Sequence, residues 1–268
     1  MLQKTISRYE YSVILLKQLV KTDFKLRYQN SVLGYLWSLL RPLALFVIMY
    51  IVFVKFLRVD YGVPHSALYL LVGLVIWNYF TEVTMGSVGS IVGRGDLLRK
   101  ISFPKYVIVL SGSFAALINL GLNFVVIALF LLIARVVPPA QIIFLPLLIL
   151  ELFVFSLSIA FFLSALFIKY RDVNYIWEVM IQAGFYVTPI FYPLSMVPPK
   201  LAKLLMLNPL AQMVQDARHI IVTTQSPTIT TVYGSAYARL IPIGIVAVVA
   251  VLALMYFKKR SKYFAEEI

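Results

Sequence analysis

The chain contains no cysteine, which excludes a disulfide framework, a thiolate zinc site and a cysteine nucleophile together. Its two histidines, His65 and His219, stand far apart without a neighbouring ligand pattern, so no metal centre is expected. No G-x-x-x-x-G-K-[ST] phosphate loop occurs, and the chain is therefore not expected to hydrolyse ATP unaided or to hold a cofactor of its own. A G-x-S-x-G elbow, an H-E-x-x-H helix and an acid pair in a soluble cleft are missing as well, which argues against an enzyme. The first thirty residues are polar or amphipathic, with no short apolar core before a small-residue cleavage position, and no signal peptide is expected. Charge is scarce too: 13% of residues carry it, and only 11 are acidic against 24 Lys and Arg.

What the chain has in abundance is apolar surface. Hydrophobic residues make up 62% of the 268, more than a soluble domain of this length can cover with polar groups, which predicts an integral membrane protein. The net charge of +13 has no soluble basic face to coat, because the cations fall between long apolar runs. Anionic lipid headgroups or an anionic substrate suit it better than nucleic acid.

A helix rising 1.5 Å per residue needs about 20 apolar residues to cross a hydrocarbon core of roughly 30 Å. Five stretches approach or exceed that: 36–57, interrupted at Arg41-Pro42, then 67–92, 107–134, 142–168 and 240–257. A sixth, 176–196, reads as a helix to Thr188 and then meets Pro189 and Pro193, which predicts a short helix followed by a broken or re-entrant piece. Six crossings put both termini on one side. Basic residues crowd that side, in the N-terminal region, in the 94–105 and 169–171 connections and after Phe257, so both termini are expected in the cytoplasm.

Ahead of the first span, residues 13–28 form an amphipathic pattern. Lys17, Lys21 and Lys25 make one stripe, and Val13, Leu15, Leu16, Leu19, Val20, Phe24 and Leu26 make the opposing arc, as in a helix lying along a membrane face. Asp23 and Arg27 fall inside that arc four residues apart, either as an ion pair or with Arg27 facing a phosphate. In the outer segment 200–239, Asn208 is placed to cap a helix with Pro209 in its first position. Leu210, Met213, Val214, Ala217 and Ile221 then give it one apolar face, expected against the bilayer or the other spans. Gly89 with Gly93, and Gly112 with Ala116, have the spacing that lets helices approach closely, within a subunit or between two copies.

Two connections on the terminus-bearing side are short and charged. In GRGDLLRKISFPK, residues Asp96, Leu97, Leu98, Arg99 and Lys100 can form one or two helical turns before Pro104. In KYRDVNY, charged residues again bracket apolar ones through Lys169, Tyr170, Arg171, Asp172 and Val173. Either these are solvated loops, or they are knobs pressed into a partner protein.

Five runs occur in order: RYQNSVLGYLWSLLRPL (27–43), RGDLLRKISFPK (94–105), KYRDV (169–173), TPIFYP (188–193) and LNPL (207–210). Over nearly its whole length the chain resembles the ABC-2 type permeases that export polysaccharide, the family of O-antigen, teichoic acid and rhamnose-rich wall polysaccharide exporters. The resemblance implies an all-α integral membrane fold of six transmembrane helices, with an amphipathic interfacial helix in a cytoplasmic segment (1–31) and external re-entrant helices between spans five and six of the membrane domain (32–268). It implies a bacterial cytoplasmic membrane, a second permease copy, an undecaprenyl-diphosphate-linked polysaccharide as substrate, and a separate ATPase subunit that binds ATP and Mg. The two charged connections correspond to the family's coupling helices, which meet that ATPase.

A diphosphate head needs cationic donors near the inner mouth, and Lys25, Arg27 and Arg41 are placed for it, Arg41 because it interrupts an apolar span. A sliding sugar chain suits aromatic rings, and Tyr35, Trp37, Trp77, Tyr79, Phe80, Phe185, Tyr186, Phe191 and Tyr192 are the candidates; each could equally serve packing or the membrane interface. The competing readings are an ABC-2 exporter of drugs, antibiotics or small lipids, and an ion-coupled carrier, which should show inverted repeats or a buried acid relay.

Overall fold

The computed structural model describes residues 12–23, 25, 34–59, 61–96 and 103–267. Most of these residues are helical, and no strand occurs among them. Helix α1 covers residues 12–23, and α2 (Trp37–Met49) runs on into a π-helical turn, Tyr50–Phe56. The long helices α3 (Ser66–Val88), α4 (Tyr106–Ile133) and α5 (Leu145–Lys169) follow. Then come α6 (Val173–Val187), the short α7 (Pro199–Leu205), α8 (Pro209–Ile221) and α9 (Ile229–Tyr233), and finally α10 (Leu240–Arg260) and α11 (Phe264–Glu267).

Among the described residues, five helices are long and apolar enough to cross a membrane: α2 with its π-helical extension, α3, α4, α5 with the turn before it, and α10. The chain is a multi-pass membrane protein. Helix α6 has 15 residues, or about 22 Å at 1.5 Å each, and stops at Val187 where Thr188 turns extended and Pro189 follows. The break expected from the proline run is therefore present. Arg41-Pro42, which interrupts the apolar run in the sequence, does not break the helix: Pro42 sits buried within α2, whose geometry changes only eight residues later, at Tyr50. A proline inside a spanning helix is tolerated when the surrounding protein takes over the lost backbone contact.

Helix α3 is the centre of the bundle. Of its apolar 18-residue spanning stretch 78% is buried, against 11–33% for those of the other four, and it packs on α2, α4, α5, α6 and α8. Burial in protein rather than lipid lets it carry polar groups, several of them hydrogen-bonded. Thr84 Oγ1 donates to the Phe80 carbonyl at 2.8 Å, Ser87 Oγ to the Thr84 carbonyl at 2.7 Å, and Tyr69 Oη to Gln215 Oε1 at 3.0 Å. Asn119 Nδ2 donates to Glu82 Oε1 at 2.7 Å. The peripheral helices instead turn Val125, Leu129, Leu132 and Ile133 of α4, and Val248, Val251, Leu252 and Met255 of α10, outward.

Helix α8 begins as expected, with Asn208 Oδ1 accepting from the Leu210 amide at 3.0 Å and Pro209 in the first turn. Of the two placements expected for its apolar face, the bilayer or the other spans, the second holds, and more than that face is covered. Polar and apolar faces alike are buried against α3, α5 and α10, including Gln212, Gln215, Asp216 and Arg218. Arg218, 0% exposed, donates through Nε to the Tyr69 carbonyl (2.9 Å), through Nη1 to that of Pro189 (2.6 Å) and through Nη2 to that of Ile190 (2.5 Å). It also lies 3.7 Å from the Tyr69 ring centroid. One guanidinium thus satisfies carbonyls that the break after α6 would leave without donors.

Within the chain, the close approaches do not fall at the small-residue spacings. A Cβ at Gly93 or Gly112 would meet nothing within 4 Å, and one at Gly89 would make an ordinary 3.8 Å contact with Phe167. Tight packing occurs at Gly73 against Arg218, and at Gly184, where a Cβ would come 2.9 Å from Trp77 Cη2. The determinant is the bulk of the facing side chain rather than the spacing of small residues.

Long-range contacts sort the connections into two ends. At one end α1 meets the α3–α4 connection through Asp23 and Arg94, and Lys105 Nζ donates to the Ser261 carbonyl at 2.5 Å while lying over the Phe264 ring. At the other end Tyr61 Oη donates to the Phe191 carbonyl at 2.8 Å, and Tyr233 Oη to that of Lys203 at 2.9 Å.

Candidate functional site

The lysine stripe and part of the apolar arc of α1 line one groove. Leu16, Lys17, Val20, Lys21 and Lys25 form one wall and Phe114, Leu117 and Ile118 of α4 the other, enclosing about 640 Å³ open to the surroundings. Lysines four residues apart lie on one side of a helix, so their ammonium groups follow a single edge while Leu16 and Val20 turn down toward α4. Among the described residues, no carboxylate lines the groove. A floor of aliphatic and aromatic carbon beside an ammonium edge fits an amphiphile with an anionic head: tail along α4, head among the lysines.

Of the three cations expected at a diphosphate, Lys25 lies in this groove, Arg41 is exposed on α2 outside its lining, and Arg27 falls outside the described residues. Lys17 and Lys21 are the members that sequence reasoning left out of the site, although their i, i+4 spacing with Lys25 already set them on one edge.

Asp23 does not depend on Arg27 for a partner. Arg94 Nη2 donates to Asp23 Oδ1, and Ser111 Oγ donates to Asp23 Oδ2 at 3.0 Å. Arg94 Nη1 in turn reaches Ser111 Oγ at 3.3 Å and the Ile108 carbonyl at 3.5 Å. The face of α1 that carries Asp23 is turned toward the start of α4, so its partners come from far along the chain.

At the charged connections, Asp96 is exposed, and Leu97, Leu98, Arg99 and Lys100 lie outside the described residues. Lys169, Tyr170, Arg171 and Asp172 are exposed at the α5–α6 turn, Lys169 Nζ over the Tyr170 ring at 5.1 Å and Arg171 over that of Phe167 at 5.1 Å. Val173 departs from the expectation for a docking residue. It opens α6 with its side chain buried in a small cluster with Val88 and Leu163, because an apolar residue in the first turn folds under the charged loop.

The aromatic candidates separate into three groups. Trp77, Tyr79 and Phe80 are core residues with no face left for a passing polymer: Phe80 stacks on Phe155 at 5.7 Å, and Trp77 packs on Phe80 and Phe185. Trp37 is exposed on α2, and the Tyr35 side chain lies outside the described set. Phe185, Tyr186, Phe191 and Tyr192 gather at the break after α6, with ring centroids 5.2–5.7 Å apart along the series and Phe53 5.0 Å from Phe191. Tyr186, 67% exposed, presents this patch outward.

Comparison with known proteins agrees with the arrangement. Residues 14–222 match the family model described as ABC-2 type transporter. An O-antigen export system permease protein RfbA of Klebsiella pneumoniae is 30% identical over 259 residues, covering 96% of this chain and 95% of the relative. A second protein of that name from Klebsiella pneumoniae is 31% identical over 211 residues, covering 78% of this chain and 81% of the relative. One from Myxococcus xanthus is 27% identical over 262 residues, covering 97% of both. With more than three quarters of its length matched by that model, the chain belongs to the ABC-2 type transporter family.

Proposed function

We propose that this chain is the membrane-spanning permease subunit of an exporter that carries polyprenyl-diphosphate-linked polysaccharide, with undecaprenol as the lipid, out of the bacterial cytoplasm. The observation that carries the reading is the groove between α1 and α4, which pairs an apolar floor with a lysine edge. Relatives whose names specify O-antigen export support polysaccharide as the cargo. Energy comes from a separate ATPase subunit that binds ATP and Mg, docking at Asp96 and at the exposed Lys169–Asp172 turn.

In this reading the basic end of the bundle, with both termini, faces the cytoplasm. Helix α6 and the broken run after it make the sixth crossing, and α7 to α9 fold back at the outer end. The lipid diphosphate settles among Lys17, Lys21 and Lys25, with Arg27 and Arg41 toward the mouth. Two copies build the pathway. The exposed row of Tyr175, Ile176, Val179, Met180, Tyr186 and Val187 on α6 supports a second chain against that face. The polymer then passes the outer aromatic patch, whose rings can stack on sugar C–H faces without fixing them.

The test is reconstitution of the chain with its co-encoded ATPase in liposomes loaded with the lipid-linked glycan of its host. ATP-dependent appearance of the glycan on the far side is expected. Full transport by this polypeptide alone, or a topology map that puts residues 94–105 or 169–175 outside the cell, would contradict it.

A further inference from the structure

We propose that Asp23, Arg94 and Ser111 form the link that passes movement of the α3–α4 connection to α1, and so sets the width of the lysine-edged groove. The inference rests on the reading of that groove as the lipid site and of the connection as an ATPase contact.

Arg94 ends the 3-10 turn Val92–Arg94, two residues before the exposed Asp96. A solvated basic loop would leave its guanidinium in water. Instead it reaches inward to two walls of the groove at once, through Asp23 on α1 and through Ser111 and the Ile108 carbonyl on α4. Both Asp23 carboxylate oxygens are engaged, one by Arg94 and one by Ser111. The Arg94 and Asp23 side chains are 24% and 15% exposed, so the pair is held mostly away from water, where its attraction is less screened.

The position of the node matters as much as its bonds. Asp23 lies between Lys21 and Lys25 on the helix that forms one wall, and Ser111 precedes Phe114 of the other wall by three residues, about one helical turn. The node therefore pins α1 to α4 at one end of the groove, with Arg94 as the pin. Drawing Arg94 outward removes one of the two groups that, among the described residues, engage the Asp23 carboxylate, and leaves Ser111 alone to hold α1 against α4 there. Pushing it inward closes the groove. A residue acting this way is a positioning residue: it touches the helix that bears the lysines rather than the lipid.

The experiment uses the permease–ATPase complex in liposomes, with spin labels at Ile14 on α1 and Val125 on α4, both exposed. Electron–electron distances are recorded with and without ATP. In parallel, binding and ATPase stimulation are measured with a short-chain polyprenyl diphosphate. The native complex is expected to show an ATP-dependent change in the α1–α4 distance. Asp23→Asn and Arg94→Gln should keep basal ATPase, lose the distance change, and lose roughly five- to tenfold of the probe-stimulated rate, the size of a typical coupling between sites. The charge-swapped pair Asp23→Arg with Arg94→Asp should recover part of both, which a folding defect would not. An unaltered distance change in the single variants overturns the link while leaving the groove reading intact. Undiminished probe binding by Lys17→Gln, Lys21→Gln and Lys25→Gln combined overturns the groove reading and the link with it.

Discussion

Arg218 and Gly73 face each other with no room for a Cβ: one built on Gly73 would lie 2.5 Å from Nη2 of Arg218. The guanidinium cannot swing aside, because its nitrogens are committed to the carbonyls of Tyr69, Pro189 and Ile190. Gly73→Ala should therefore cost about 1–3 kcal/mol as an overpacking substitution. Arg218→Met should cost about 3–5 kcal/mol, by removing the donors to the Pro189 and Ile190 carbonyls and to that of Tyr69. Since both act on one contact, the double variant should be less destabilised than the sum of the two. Melting temperatures of the purified protein in detergent check this, and strict additivity would count against it.

How α8 starts was legible in the sequence, whereas its placement was narrowed only to the bilayer or the other spans. Asn208-Pro209 is a local signal, since a side-chain oxygen two residues from a free amide can cap it whatever the rest of the chain does. Asn208→Ala should lower stability by about 1 kcal/mol and Asn208→Asp should preserve it, as read by the same melting measurement. Loss of stability in both variants to the same degree would show that the cap is not the reason.

The location of α8 depends on partners 28 to 149 residues away, and no periodicity carries that. Arg218 looked like one more outer basic residue until Tyr69 and the carbonyls of Pro189 and Ile190 surrounded it. Asp23 likewise had a plausible local partner four residues on, Arg27, which lies outside the described residues; among those described it is engaged by Arg94 and Ser111. The spans, the break at Pro189 and the lysine stripe were readable because each is set by neighbours within a few turns. Core placement of Trp77, Tyr79 and Phe80 was not, because an aromatic residue on a spanning helix gives no sign of which side faces protein.

Arg171 and Val173 should separate docking from packing at the α5–α6 turn. Arg171 is exposed, so Arg171→Glu should abolish co-purification with the ATPase while leaving the melting temperature of the permease unchanged. Val173 is buried beside Val88 and Leu163, so Val173→Ala should lower stability by about 1–2 kcal/mol and leave co-purification intact. The reverse pattern would place the contact surface elsewhere.

The most direct measurement of the groove's role is photo-crosslinking with a diazirine-bearing polyprenyl diphosphate, followed by peptide mapping of the labelled permease in its ATPase complex. Label is expected on the peptides carrying Leu16 to Lys25 and Phe114 to Ile118. It should fall at least about tenfold when Lys17, Lys21 and Lys25 are together replaced by glutamine, given roughly 1 kcal/mol per lysine at an anionic headgroup. Label confined to other helices, or unchanged in the triple variant, would contradict the assignment of this groove to the lipid diphosphate.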